Sequence, residues 1–167
     1  MNRTITLAAA VFCAVSAAHA VKFNPEAMRA MQQEGKKIAD QALSLRPYRL
    51  PSGKCLHVAG DLQTFPANVV VWECAAIPNQ NWRFDESGKL LNESGRCLGV
   101  AGDATVSDEN VGVGDCADIP NFQWRPGTDG SLIHSSGKCL TAAGDIAVLG
   151  TNVIVTACAG APSQQWR

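Results

Sequence analysis

Three copies of one 42-residue unit leave this chain few folds to choose from. The unit opens as Ser52-Gly53-Lys54-Cys55-Leu56-His57-Val58-Ala59-Gly60-Asp61. It opens again from Ser94 to Asp103 around Cys97, and from Ser136 to Asp145 around Cys139. Trp82, Trp124 and Trp166 close the copies in the same register, with no insertion or deletion between them. A period of this size means supersecondary units that cannot bury their apolar faces alone and must stack or close into a ring. The repeat is also an internal control. A residue present in all three copies is demanded by the frame; a residue present in one needs another reason.

The first twenty residues precede the fold. Arg3 gives a basic start, Ile5 to Ala18 is apolar, and Ala18-His19-Ala20 is a small-x-small cleavage site. These features predict a secretory signal peptide over residues 1–20, cut before Val21 and too short for a membrane span. No later stretch is long and apolar enough to cross a bilayer. Removal leaves 147 residues with six cysteines, 13 basic and 15 acidic side chains, a net charge of −2. An even cysteine count on an exported chain points to disulfides rather than metal or redox chemistry. A near-neutral chain without basic runs argues against nucleic-acid binding, which needs many Lys and Arg contacts to phosphate.

Residues 21–44 predict a helix, with Asn24 as N-cap, Pro25 at the first helical position and an end near Leu43. Met28, Met31, Ile38 and Ala42 share one face, so the helix is expected as a cap on the domain or as an arm for a protein partner. From Leu45 the signals are all β. Each copy holds a short strand at its first cysteine, an alternating strand before its second, a strand at the closing Trp and a fourth after a Gly turn. The third copy lacks its fourth strand. Counting back 42 residues from Leu90-Leu91-Asn92 lands on Tyr48-Arg49-Leu50, which can supply it and close the ring.

Two cysteine pairings respect the repeat. One joins the cysteines within each copy; the other joins Cys74 to Cys97, Cys116 to Cys139 and Cys158 to Cys55. Cys-Leu, Ala-Gly-Asp, Asn-Val, a second Cys and a closing Gln-x-Trp, in three in-register copies, resemble the ricin B-type lectin domain over residues 45–167. The resemblance implies an all-β fold, a β-trefoil of three lobes, with pairing Cys55–Cys74, Cys97–Cys116 and Cys139–Cys158. The second copy departs from the pattern, with Phe122 where Gln80 and Gln164 stand.

Trp72 fails the test of the frame, because its counterparts are Gly114 and Thr156. Val69 and Val71 match Val111, Val113, Val153 and Val155 and mark the inward face, so Val70 and Trp72 point out. An outward Trp is a flat apolar plate with a polar N–H, suited to stacking on a sugar ring. Asn79 and Gln80, just before Trp82, carry the donors and acceptors that vicinal hydroxyls require. Asp61, Asp103 and Asp145 follow Ala-Gly at strand ends, as turn residues or, at Asp61, as a ligand acceptor.

The resemblance implies a site made by the aromatic two residues before the second cysteine and the Asn three before the closing Trp; Trp72 and Asn79 stand there. It also implies an Asp two residues after the first cysteine. His57, Gly99 and Thr141 occupy that position instead, and His57, which shares the parity of Trp72, is expected to face the ligand. Lobe two, with Gly114 and Phe122, and lobe three, with Thr156 and Ser163, are expected to be empty. Asn92-Glu93-Ser94 is a glycosylation sequon in an expected turn. No nucleophile motif, acid–base spacing, metal set or cofactor motif accompanies these residues. Two readings stand. One is a secreted, non-enzymatic binder of glycans or glycoproteins, of galactose type, with its main site in the first repeat. The other is a trefoil without sugar binding that acts through protein contacts, as an inhibitor or toxin-delivery subunit.

Overall fold

A computed structural model describes residues 24–62 and 66–167, with the backbone alone over 37–43. The expected signal peptide, and Ile38 and Ala42 of the expected helical stripe, lie outside what is described. Helix α1 spans Pro25–Leu43, and the Asn24 carboxamide accepts from the backbone N–H of Glu26 and Ala27 at its start. In chain order the strands are β1 (Cys55–Val58), β2 (Ala67–Trp72), β3 (Trp82–Phe84), β4 (Leu90–Asn92), β5 (Cys97–Val100) and β6 (Glu109–Gly114). They continue as β7 (Trp124–Pro126), β8 (Leu132–His134), β9 (Cys139–Ala142) and β10 (Val153–Thr156).

The backbone closes a ring. Residues 46–50 pair with β3 through Arg46 and Trp82, β3 pairs with β4, and β4 meets β7 where Trp124 N–H donates to Gly88 O. β7 pairs with β8, Trp166 N–H donates to Gly130 O, and Arg167 and Arg49 exchange main-chain bonds of 2.8 and 2.7 Å. The segment around Tyr48 thus takes the place that β4 and β8 hold in the other lobes, although it pairs only through the bridges at Arg46 and Arg49. A closed ring leaves no row of unpaired N–H and C=O groups along an edge.

Three hairpins, β1–β2, β5–β6 and β9–β10, cover one end of this barrel. β2, β6 and β10 converge on the pseudo-threefold axis through the pairs Asn68↔Gly112, Ile154↔Asn110 and Val70↔Asn152. There the three repeated asparagines form a cycle. Asn68 Nδ2 donates to Asn152 Oδ1 at 2.9 Å, Asn152 to Asn110 at 2.9 Å, and Asn110 to Asn68 at 3.0 Å. At Gly112 a Cβ would sit 2.8 Å from Ala67 O, so the convergence is close enough there to exclude a side chain.

The three tryptophans are buried between barrel and hairpins, and each indole N–H donates to the carbonyl of the Leu after the first cysteine. The distances are 3.1, 2.9 and 3.0 Å for Trp82 to Leu56, Trp124 to Leu98 and Trp166 to Leu140. Burial supplies the larger energy; the hydrogen bond keeps the indole N–H from being an uncompensated polar group. The cysteines pair within lobes, with Cα–Cα distances of 5.1, 5.1 and 5.0 Å across a separation of 19 residues. Each such bridge is worth about 3 kcal/mol by loop closure.

Three sequence expectations change. Strand parity puts Val70 on the outer face, yet it is 8% exposed, because the third lobe bridges across at Asn152 and covers it. The sequon residue Asn92 is 1% exposed; its Oδ1 accepts from Ser94 Oγ and Arg96 N–H, and its amide nitrogen is enclosed, closing that position to modification in the folded chain. Over Asn24 to Lys36 helix α1 does not pack as the expected cap, since every side chain there is exposed, Met28 at 47% and Met31 at 75%, although the helix backbone approaches β3.

Two experiments test this account. Trp124→Ala should cost about 3–5 kcal/mol in denaturant unfolding as a core truncation. Deleting residues 21–40 should leave cooperative unfolding intact, whereas extending the deletion through Leu50 should abolish it. Retention of a cooperative transition without Tyr48 to Leu50 would refute the closing role of that segment.

Candidate functional site

The first residue facing out after each leading cysteine marks the same surface in every lobe. In lobe one it is His57, on β1 between the buried Leu56 and Val58. β2 runs antiparallel with Cys55 opposite Trp72 and His57 opposite Val70, so His57 and Trp72 share a face. Their rings lie 5.8 Å apart with planes 23° from parallel, and Trp72 is 41% exposed. The Trp edge reaches toward Gly150 of the third lobe, whose built Cβ would lie 3.9 Å from it. Burial alone pushes the His57 imidazole below its ordinary value of 6.5.

A 3₁₀ turn at Pro78–Gln80 brings the two amides beneath this surface. Asn79 Nδ2 donates to Val58 O and Gly60 O, both at 2.9 Å, which ties the turn to the end of β1 and to the loop carrying Asp61. An amide whose NH₂ is committed in this way serves a ligand only through its oxygen. Asn121 makes the same two bonds, to Val100 O and Gly102 O, so this tether belongs to the frame. Asp61 is exposed in the loop beside Gly60. Its counterparts Asp103 and Asp145 accept from the N–H two residues on, as turn residues do.

Gln80 does not reach the surface. It is fully buried; its Oε1 accepts from Ala75 N–H at 2.7 Å and its Nε2 donates to Glu73 O at 2.6 Å. The remaining N–H approaches His57 Nδ1 at 3.5 Å. Gln164 repeats the arrangement in lobe three, accepting from Ala159 N–H and donating to Ala157 O. This amide supports the residue above it rather than meeting a ligand itself, a role signalled in the sequence by its presence in two of three copies.

The other lobes fill the same place with their own side chains. In lobe two Phe122 lies over Gly99, where an added Cβ would be 2.5 Å from its ring. In lobe three the Thr141 and Thr156 hydroxyls bond each other at 2.8 Å, and Gln164 Nε2 donates to them at 3.1 and 2.9 Å. One lobe is plugged by an aromatic ring and one by a closed polar triangle. Among the described residues no group of three His, Cys, Asp or Glu side chains could hold a metal ion, and no helix is long and apolar enough to cross a membrane.

The sequence profile of the ricin-type beta-trefoil lectin domain matches residues 44–166. The chain belongs to that family. Its lectin-domain frame is similar to a designed threefold-symmetric protein, ThreeFoil, at 30% identity and a TM-score of 0.67, covering 74% of this chain and 96% of that one. The hemolytic lectin CEL-III is similar at 27% identity and a TM-score of 0.65, over 75% of this chain and 30% of its own. A non-toxic homologue of type II RIPs from Momordica charantia (bitter gourd), solved with α-methyl-D-galactoside, is similar at 26% identity and a TM-score of 0.63. There 77% of this lectin-family chain is covered and 49% of the other, so the chain spans only part of the two natural proteins. No curated protein sequence gave a match.

His134, the other histidine after the expected cleavage site, has a different task. It occupies the repeat position of Asn92, and its Nδ1 meets Ser136 Oγ at 2.9 Å and accepts from Ser136 N–H at 3.1 Å, as Asn92 Oδ1 does with its own turn. Its ring is edge-on to Trp124 at 4.9 Å. Burial pushes it below 6.5, against an opposing pull from the Asn121 and Pro120 backbone. The fold therefore favours the neutral ring. Its contribution is complete above 6.5 and is lost as pH falls from there to the lowered folded value. Asp103 and Asp129, held down by the Thr105 and Ser131 hydroxyls, keep their contribution above 3.8 and lose it only as pH falls below that, so they do not bear on the profile near 6.5. His134→Asn, which borrows the residue of lobe two, should fold and flatten the decline in unfolding midpoint just below pH 6.5; the share due to His57 should persist. An unchanged pH profile would remove His134 from this role.

Proposed function

We propose that the chain is a secreted, non-enzymatic carbohydrate-binding protein with its principal site in the first repeat. One observation carries the reading: Trp72, at 41% exposure, is presented on a face that the other two lobes have filled. The sugar ring stacks on the indole, His57 beside it and Asn79 Oδ1 supply polar contacts, and Asp61 lies at the rim. Gln80 acts from below by holding His57. Three disulfides accord with an oxidising compartment and hence with the expected signal peptide. A galactose-type ligand is the starting point, because the bitter gourd relative was solved with α-methyl-D-galactoside. The exposed α1, with Met28 and Met31 uncovered, favours a second reading in which a protein partner docks on the helix.

A glycan array and calorimetry on the full chain separate these readings. Trp72→Ala should abolish most sugar binding and change stability by under about 1 kcal/mol, as expected for a surface position. Gly114 and Thr156 show that the frame accepts small residues there. A blank array at high protein concentration would leave the protein-contact reading, and a strongly destabilised variant would return Trp72 to the frame.

A further inference from the structure

Gln80 has no choice in how it uses its amide. Ala75 N–H can only donate, so the group facing it is Oε1; Glu73 O can only accept, so the group facing it is Nε2. The second N–H of Nε2 is then aimed at residue 57, as the same N–H of Gln164 is aimed at Thr141. A donor facing His57 Nδ1 requires that nitrogen to accept, which places the ring proton on Nε2. His57 therefore offers the ligand an N–H donor where the family pattern has a carboxylate acceptor. The local polarity is inverted.

The inversion divides the site. Its acceptor end is Asn79 Oδ1, whose amide nitrogen is bonded to the carbonyl of Gly60, next in the chain to Asp61. Its donor end is His57, stacked on Trp72. Glu73, which follows Trp72, is paired with Lys54, so that carboxylate is neutralised. A pair of neutral hydroxyls gains little from a lone imidazole N–H. An anionic oxygen gains a charge-assisted bond, roughly twice as strong as a neutral one. Burial and the Gln80 N–H that faces Nδ1 both favour the neutral ring, so the contact to an anion runs through its Nε2–H.

Resting on the carbohydrate reading of lobe one, we propose that this site takes an acidic sugar. Its carboxylate or sulfate meets His57 Nε2–H, and its hydroxyls turn toward Asn79 and Asp61.

The test uses the full disulfide-bonded chain, titrated calorimetrically with methyl glucuronide and galactose 6-sulfate, against methyl galactoside and N-acetylgalactosamine. At least one acidic sugar should bind more tightly than both neutral ones by about tenfold or more. The two acidic probes tell a carboxylate from a sulfate. His57→Asp should reverse the order, and His57→Thr, copying Thr141 of lobe three, should erase it if the Asp variant fails to fold. Nitrogen-15 NMR of the imidazole gives a ligand-free readout, with the proton expected on Nε2. Neutral sugars binding as tightly as acidic ones, a proton on Nδ1, or an acidic preference surviving Trp72→Ala would each overturn the proposal. If neutral sugars bind through Trp72, the lobe-one reading stands without it; if no sugar binds, both fall.

Discussion

The structure depends on one closure: the main-chain exchange between Arg49 and Arg167. Strands of three residues, such as β3 and β4, are too short to form a sheet on their own. They persist because each has a neighbour on both sides and an apolar face toward a shared interior. Opening the ring at Arg49 would create two edges and expose Tyr48, Trp166 and Leu132 together. At the opposite end the cycle of Asn68, Asn152 and Asn110 does for the hairpins what the ring does for the barrel. Each amide donates to one neighbour and accepts from the other, so the loss of one breaks two bonds.

This frame leaves few residues free for a function. Three of the repeated sets are committed to it: the tryptophans to the Leu carbonyls, the asparagines to the axis, the cysteines to their bridges. What is left free to vary is a shallow surface beside each hairpin. There the residues at 57, 99 and 141 and at 72, 114 and 156 change without consequence for the barrel.

Much of this was legible in the sequence, because period and parity are local properties. The 42-residue spacing led to three lobes and to a ring-closing segment at Tyr48, which pairs through isolated bridges rather than as the full strand expected; alternation led to an outward Trp72. What failed to show was contact between distant residues. Asn68, Asn110 and Asn152 read only as part of the repeat pattern, since nothing local says that they meet on an axis. Val70 read as outward, and strand parity cannot see a neighbouring lobe lying across it. Gln80 read as a ligand group because its chemistry suits sugars, although its recurrence at Gln164 already marked it as part of the frame. The helix gave a stripe, and a stripe does not say whether the domain covers it.

The three floors show what an open position requires. A buried amide N–H left without a partner is costly, so Gln80 and Gln164 must each find an acceptor above them. Lobe three meets that need completely, with two hydroxyls at 3.1 and 2.9 Å that also bond each other. Lobe two removes the need by replacing the amide with Phe122, whose ring fills the space over Gly99. Lobe one meets it loosely, with an imidazole nitrogen at 3.5 Å on a side chain that remains partly exposed. The lobe that leaves its His57 only loosely held, beside an uncovered indole, is the one where an incoming partner would still improve the hydrogen bonding, and that difference in completeness supports the proposed site in the first repeat.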